Sequence, residues 1–320
     1  VVVGAPSQPV AAVAGARMGP DDVEVFTNGD VTTRALLAAV GRAQRNIDAE
    51  IYEFGREDLA AGMLAAMRRG VTVRLVGDPT VGATVSTGRR LAAAGAVVTY
   101  FPVGPRQIDH VKLMLVDGRE AFFGGVNWGA HSYLNHDFEL RVRGPAVARL
   151  ERVFAIDLGR SGRVVGVPAD TAPTDAEPAL FTSFPADDIG RAVVAALRAA
   201  QRSIEIEMFV MTDVDTVEAL VDAAHRGVAV QVLFDPGQDL NQGAMVKLRA
   251  AGAHCRFYPT NGELLHAKAA VVDGEKVIVG SANWTASGFR HNHELDAVLS
   301  QKDLAAAVAA RMDADWRLSG

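Results

Sequence analysis

The chain is one unit written twice. The run RALLAAVGRAQRNIDAEIYEF from Arg34 aligns with RAVVAALRAAQRSIEIEMFVM from Arg191, and RRGVTVRLVGDP from Arg68 aligns with HRGVAVQVLFDP from His225. Gly70 and Gly227, Asp78 and Asp235, and Gly95 and Gly252 all stand 157 residues apart. Near the ends of the copies, Asp157 in AIDLGRSG matches Asp315 in DADWRLSG. Self-similarity of this length describes two domains rather than a short-period solenoid, and 320 residues are enough for two halves with a substantial core.

Each copy alternates helix and strand. Apolar residues recur at helical spacing over Arg34 to Arg45, and NIDAEIYEF then alternates like a strand. DLAAGMLAAMRRG reads as a helix closed by Gly70 ahead of the strand VTVRLV, and GRRLAAAGA as a shorter helix before VVTYF. GPAVARLERVFAID and KDLAAAVAARMDADW read as closing helices. The expected fold class is α/β, built from two tandem pseudo-symmetric domains with mostly parallel mixed sheets flanked by helices. The expected boundaries are an N-terminal tail over 1–20, a first domain over 21–160, a linker over 161–185 and a second domain over 186–320. The linker VPADTAPTDAEP carries three prolines and few large apolar residues.

A second pattern lies inside the repeat: His-x-Lys, four residues, Asp, six residues, Gly, two residues, Asn. It occurs as His110, Lys112, Asp117, Gly124, Asn127 and again as His266, Lys268, Asp273, Gly280, Asn283. HVKLMLV and HAKAAVV are strands, the Asp-Gly pairs are hairpin turns, and REAFFGG and EKVIVGS return. Side chains two apart on a strand share a face, so each His projects with its Lys, while Val111 and Ala267 face the other layer. Gly125, in Gly124-Gly125, and Ser281, in Gly280-Ser281, end the return strands where a substrate approaches the backbone. Asn127, Asn283, the Ser281 hydroxyl and the two lysines are candidate donors to a phosphodiester and to the charge on its transition state. One neutral imidazole can attack phosphorus while the other, protonated, serves the leaving group and later the acceptor.

Glu139 lies 29 residues after the histidine of its own copy and Glu294 lies 28 after its own. Each is expected to hold the second nitrogen of that imidazole. Asp117 and Asp273 are expected to serve turn structure rather than chemistry. Arg106 and Arg290, with the loop histidines His131, His136, His291 and His293, are candidates for the mouth of the site. Trp128 and Trp284 read as packing residues, His225 and His254 as structural, and Cys255 as a small buried apolar residue. Glu50 and Glu207 are repeat-equivalent acids with no assigned role.

The paired pattern resembles the HKD motif of the phospholipase D superfamily, and the resemblance covers both halves. It implies two α/β domains related by a pseudo-twofold axis, one active site between them, no cofactor and no metal. It further implies a covalent phosphohistidine on His110, acid–base work by His266, and a phosphate clamp of Lys112, Lys268, Asn127 and Asn283. HVKLMLVDGREAFFGGVNWG looks most like cardiolipin-synthase-type members, so the expected substrate is a phospholipid at a membrane surface, transferred to water or an alcohol. The alternative is a metal-independent nuclease, which HAKAAVVDGEKVIVGSANWTASG also resembles. The net charge of −6 disfavours nucleic acid, and Arg68, Arg69, Arg89 and Arg90 form the only evident basic clusters of the first half. No apolar run reaches the roughly 18 to 20 residues of a bilayer span, so the segments 80–90 and 236–242 are the expected membrane contacts. With both motifs in one chain a monomer suffices for activity. The opening at Val1 and the Ala/Val/Gly/Pro-rich start fit an exported protein or one peripheral to the cell envelope.

Overall fold

The computed structural model describes residues 13–169, 178–182, 187–260 and 262–319. The first unit runs β1 (Val13–Met18), β2 (Asp21–Phe26), α1 (Gly29–Arg42), β3 (Asn46–Ile51), α2 (Glu57–Arg68), β4 (Thr72–Gly77), α3 (Gly82–Ala93), β5 (Val97–Tyr100), β6 (Lys112–Val116), β7 (Glu120–Gly124), β8 (Glu139–Arg143) and α4 (Ala146–Arg160). The second runs β9 (Ala179–Thr182), α5 (Asp188–Ala199), β10 (Ser203–Met208), α6 (Val214–His225), β11 (Ala229–Phe234), α7 (Gln242–Ala250), β12 (His254–Phe257), β13 (Lys268–Val272), β14 (Lys276–Gly280), α8 (Ala286–Arg290), β15 (Leu295–Ser300) and α9 (Lys302–Leu318).

Among the described residues the strands form two sheets, ordered β1-β2-β8-β7-β6-β3-β4-β5 and β12-β11-β10-β13-β14-β15-β9. Both are mixed. Between strands, parallel pairing is confined to β3–β4–β5 and β10–β11–β12, where helices provide the crossovers. All other pairings are antiparallel, so the parallel share is smaller than helix–strand alternation predicts. The reason is local: each motif is a hairpin, and a hairpin can only continue the sheet antiparallel. β1 lies inside the segment read as a tail and pairs with β2. β9 lies inside the segment read as a linker and forms an edge beside β15. Of those segments, residues 1–12, 170–177 and 183–185 fall outside the described residues.

Among the described residues three apolar clusters account for the packing. The central one joins the two units: Val111, Leu113, Leu115 and Phe123 of the first sheet meet Ala267, Ala269, Val271 and Val279 of the second, with Leu150 and Phe154 of α4 and Leu304 and Val308 of α9. The outer face of the first sheet is covered by α1 and α2 through Leu36, Val40, Leu59 and Met63. That of the second is covered by α5, α6 and α7 through Val193, Leu197, Leu220 and Leu248. β6 and β13 are therefore buried on both faces, which explains why KLMLV and KAAVV lack the alternation of a half-exposed strand. Each hairpin turns on an Asp-Gly pair with both residues at positive φ, 57° and 63° in one copy and 55° and 62° in the other. The Asp117 carboxylate accepts the backbone N–H groups of Gln44, Arg45 and Asn46, and Asp273 accepts those of Gln201, Arg202 and Ser203. These acids tie each hairpin to the loop entering β3 or β10 and stand away from the histidines. Among the described residues no helix is long and apolar enough to cross a membrane.

Candidate active site

His110 and His266 lie just before β6 and β13, at the seam between the units. Both are nearly inaccessible, 6% and 7% exposed. The partner of each imidazole comes from the other unit. His110 Nδ1 is 2.8 Å from Glu294 Oε2, and His266 Nδ1 is 2.7 Å from Asp137 Oδ2. This corrects the expected pairing within each copy, and it removes Glu139 from the imidazoles. Glu139 instead sits beside β7, where Oε2 accepts the Val126 N–H at 3.2 Å. Asp296 does the same for Ala282 in the second unit, at 3.1 Å. The true register is His136-Asp137-Phe138-Glu139 against His293-Glu294-Leu295-Asp296, with Gly124 opposite Glu139 and Gly280 opposite Asp296. The sequence carried a signal for it. The loop WTASGFRHN has one residue more than WGAHSYLN, which restores the 157-residue offset and aligns His-acid-apolar-acid in both copies. Matching the two glutamates by identity hides it.

The return-strand ends serve these carboxylates more than a ligand. A Cβ at Gly125 would overlap the Asp137 carboxylate, so the glycine makes room for that acid. Ser281, its repeat equivalent, is fully buried; its hydroxyl donates to Glu294 Oε2 at 2.5 Å and accepts the Leu295 N–H at 3.0 Å. Both are therefore supports of the histidine partners rather than substrate contacts.

Lys112 and Lys268 are 1% exposed. Lys112 Nζ donates to the carbonyl of His110 at 2.5 Å, and Lys268 Nζ donates to the carbonyl of His266 and lies 2.8 Å from its Nδ1. Tyr52 and Phe209, repeat equivalents at the ends of β3 and β10, flank the pairs: each ring lies 4.9 Å from its histidine and 5.3 Å from its lysine Nζ. The sequence offered no sign of them, because an aromatic after a buried strand reads as core. Asn127 and Asn283 follow the return strands, and the Oδ1 of each is buried without a hydrogen-bond partner. Trp128 and Trp284 are buried packing residues, 2% and 0% exposed. Their carbonyls accept the N–H groups of Gly55 and Arg56, and of Thr212 and Asp213.

Burial sets the protonation of the site. It pushes Lys112 down to about 7 and Lys268 down to about 8, with Glu294 and Asp137 respectively opposing the fall. Burial together with the lysine charges lowers His266 to about 4 and His110 well below its ordinary value. The two carboxylates differ. Burial raises Glu294 to about 7 despite Lys112. At Asp137 burial also pushes upward, but Lys268 and His266 outweigh it and hold the acid below its ordinary value.

The remaining candidates divide. Arg106, at φ 62°, and Arg290 line a cavity of about 520 Å³ with Gln107, Ser287 and His291, bridging the loop before His110 and helix α8. Arg290 is also committed to Asp213 at 2.6 Å, which ties α8 to the start of α6. His131 and His291 are exposed, as are His225 and His254, while Cys255 is buried. His136 and His293 are not mouth residues: they are 2% and 1% exposed and cross the interface into acid pairs.

Two buried imidazoles, each fixed by a carboxylate of the opposite unit and accompanied by a buried lysine, make a site suited to nucleophilic and acid–base chemistry. The family model described as "Cardiolipin synthase, PLD-like domain" matches residues 36–157 and 193–316, covering each unit once. The chain belongs to this family, and is a phospholipase D-type enzyme. It is 26% identical over 337 aligned positions to a cardiolipin synthase A of Klebsiella pneumoniae, covering 92% of this chain and 68% of that one. Its fold is that of the phosphatidylserine synthase of Haemophilus influenzae, with a TM-score of 0.68 at 11% identity over 91% of this chain and 85% of that one. It is also that of the polyphosphate kinase of Porphyromonas gingivalis, with a TM-score of 0.65 at 14% identity over 93% and 47%. A fold shared by proteins so differently named leaves the substrate to the site.

Proposed function

We propose that this protein transfers the phosphatidyl group of a phospholipid to an alcohol or water through a phosphohistidine on His110. The observation that carries the reading is the unequal carboxylate support of two otherwise equivalent imidazoles. Asp137, held ionised, stabilises an imidazolium at His266 and suits it to acid–base work. Glu294, raised to about 7, supports that charge less at His110 and leaves a neutral nucleophile.

In the first step His110 Nε2 attacks phosphorus and the bond to the leaving alcohol oxygen breaks. His266 Nε2 gives that oxygen its proton. In the second step the acceptor O–H gives its proton to His266, its oxygen attacks phosphorus, and the P–N bond to His110 breaks. Lys112, Lys268 and the amides of Asn127 and Asn283 bind the non-bridging oxygens. In the empty site His266 is neutral at pH 7, its proton opposed by burial and two lysines. An anionic phosphodiester offsets those lysine charges and raises the histidine, so binding of substrate loads the acid.

The lipid reading draws support from the family match and from the cardiolipin synthase relatives. The test compares wild type with His110→Ala, with excess chelator, on phosphatidylglycerol vesicles with and without a primary alcohol, and on single- and double-stranded DNA. Phosphatidic acid or a transfer product from wild type alone supports the reading and identifies the acceptor. Cleavage of DNA alone overturns the lipid assignment. Activity lost to the chelator and regained only with a divalent metal overturns the metal-free mechanism.

A further inference from the structure

His136 and His293 are buried imidazoles that the chemistry above does not use. Each precedes the acid that holds a catalytic histidine, Asp137 or Glu294, and each is inserted into the opposite unit. The His293 N–H donates to the Ile108 carbonyl at 2.9 Å, and its carbonyl accepts the His110 N–H at 2.8 Å. Its ring stacks on Phe101 at 4.4 Å and 5°, with Nε2 3.0 Å from Asp157 Oδ2 and 3.5 Å from Glu50 Oε1. The His136 N–H donates to Leu264, and its carbonyl accepts the His266 N–H, both at 2.9 Å. Its ring stacks on Tyr258 at 5.2 Å and 13°, with Nε2 2.6 Å from Glu207 Oε2 and 3.5 Å from Asp315 Oδ2. The repeat supplies the whole arrangement twice, as Glu50, Asp157 and His293 and as Glu207, Asp315 and His136.

Two carboxylates and an imidazole also make a metal-ligand set, and at His136 the distance decides against it. Two ligands of one tetrahedral zinc, each about 2.0 Å from the metal, stand about 3.3 Å apart. The 2.6 Å between His136 and Glu207 is a hydrogen bond. Charge points the same way. Arg160 on Asp157 at 3.2 Å and Arg311 on Asp315 at 2.7 Å supply one positive charge to each cluster. Burial raises Glu50 well above its ordinary value and Asp315 to about 7, which leaves each cluster less negative charge for a metal ion. Asp109, beside Glu50 and pushed up to about 8 by burial, adds no charge at neutral pH.

We propose that His136 and His293 are positioning residues, each anchored in the acid pair of the opposite unit so that the neighbouring Asp137 or Glu294 meets that unit's catalytic imidazole. The inference rests on the catalytic reading of His110 and His266. Alternation does the work: His293 points into the acid pair, and Glu294, one residue on, points to His110. The anchor is a charged one. Burial lowers both imidazoles, but Asp157 for His293 and Glu207 for His136 outweigh it and raise them above their ordinary value.

The test reads the imidazole N–H protons of the ¹⁵N-histidine-labelled full-length chain by NMR, assigned with His110→Ala and His266→Ala. It needs no substrate, so its failure is separate from failure of the lipid reading. His293→Phe keeps the stack on Phe101 and removes the anchor. The expected result is loss or a large upfield shift of the His110 Nδ1–H signal with the His266 signal unmoved; His136→Phe does the converse. Equal effects of each variant on both signals, or no effect of either, overturn the proposal. If a Phe variant fails to fold, the double substitution Glu50→Gln, Asp157→Asn keeps the ring and weakens the anchor. It should move the His110 signal alone, and an unmoved signal counts against the proposal. On a soluble phosphodiester the Phe variants should lose at least about tenfold in kcat with KM unchanged.

Discussion

The two copies of the motif share their His, Lys and Asn side chains and differ in what stands around them. In the first unit Gly125 leaves room for a short acid, Asp137, which serves His266. In the second Ser281 occupies that position and hydrogen-bonds a longer acid, Glu294, which serves His110. A duplicated fold supplies two equivalent imidazoles, but the proposed two-step displacement needs unlike ones. The structure places the inequality in the supporting carboxylates, one held below its ordinary value and one raised to about 7.

The largest expected effect tests whether the two histidines really differ in role. His110→Ala and His266→Ala should each lower kcat by at least about 10⁴-fold. Only His266→Ala should accumulate a covalent adduct with a phosphodiester whose leaving group needs no proton, seen by intact-protein mass spectrometry. An adduct in His110→Ala instead would reverse the assignment.

The next effect sharpens the inequality. Asp137→Asn removes an ionised partner and should cost up to about 10⁴ in kcat, the loss for an orienting acid in a hydrolase triad. Glu294→Gln replaces a group already near half-protonated at pH 7 and should cost about tenfold less. Gly125→Ser puts a side chain where the Asp137 carboxylate sits and should behave like Asp137→Asn, whereas Ser281→Gly should be milder. Equal losses from the two acid substitutions would mean that the carboxylates do not divide the roles.

Stability should fall as pH rises from about 6.5, the ordinary histidine value. His136 and His293 are raised in the folded state, so their contribution is complete below the unfolded value and is lost as pH climbs through the folded one. The buried acids act in the same direction. Asp296 at about 7 and Asp109 at about 8 hold protons that the unfolded chain has released. A thermal melting series from about pH 6.5 upward should decline, with the fall opposed above about pH 7 by Lys112 and Lys268, which are lowered to about 7 and 8 and release protons that the unfolded chain keeps. His136→Phe and His293→Phe should each flatten the decline, and a slope unchanged by both would contradict the charged anchors.

What was legible in the sequence is what is local. The helices, the hairpins and the His-x-Lys pairs follow from spacing that one strand or turn enforces. The turn aspartates follow from Asp-Gly chemistry. The crossed pairing was not legible, because nothing near His110 specifies that its acid lies in Glu294, 184 residues along. Ser281 and Gly125 read as substrate contacts because a small residue at a strand end looks the same whether it admits a ligand or a neighbouring carboxylate. The anchors His136 and His293 read as loop histidines because burial between units leaves no periodic trace. β1 and β9 went unseen because a short edge strand in a segment rich in small residues or proline has too little pattern to register.

The smallest expected effect falls where the copies are alike. Asp117 and Asp273 each accept three backbone N–H groups, and both are held below the ordinary carboxylate value, where those hydrogen bonds outweigh burial. Their stabilisation is present above the unfolded value of about 3.9 and lost as pH falls through the folded one. Asp117→Ala and Asp273→Ala should each cost about 1–3 kcal/mol, the scale of hydrogen bonds to a charged group. Contacts of Asp117 are the less exposed, so its loss should be the larger of two similar numbers. Neither substitution should change kcat at a temperature where both variants are folded, because the turn lies at the far end of the strand from the histidine. A selective loss of kcat in one variant would show that the hairpin, and not the carboxylate behind it, carries the asymmetry between the two halves.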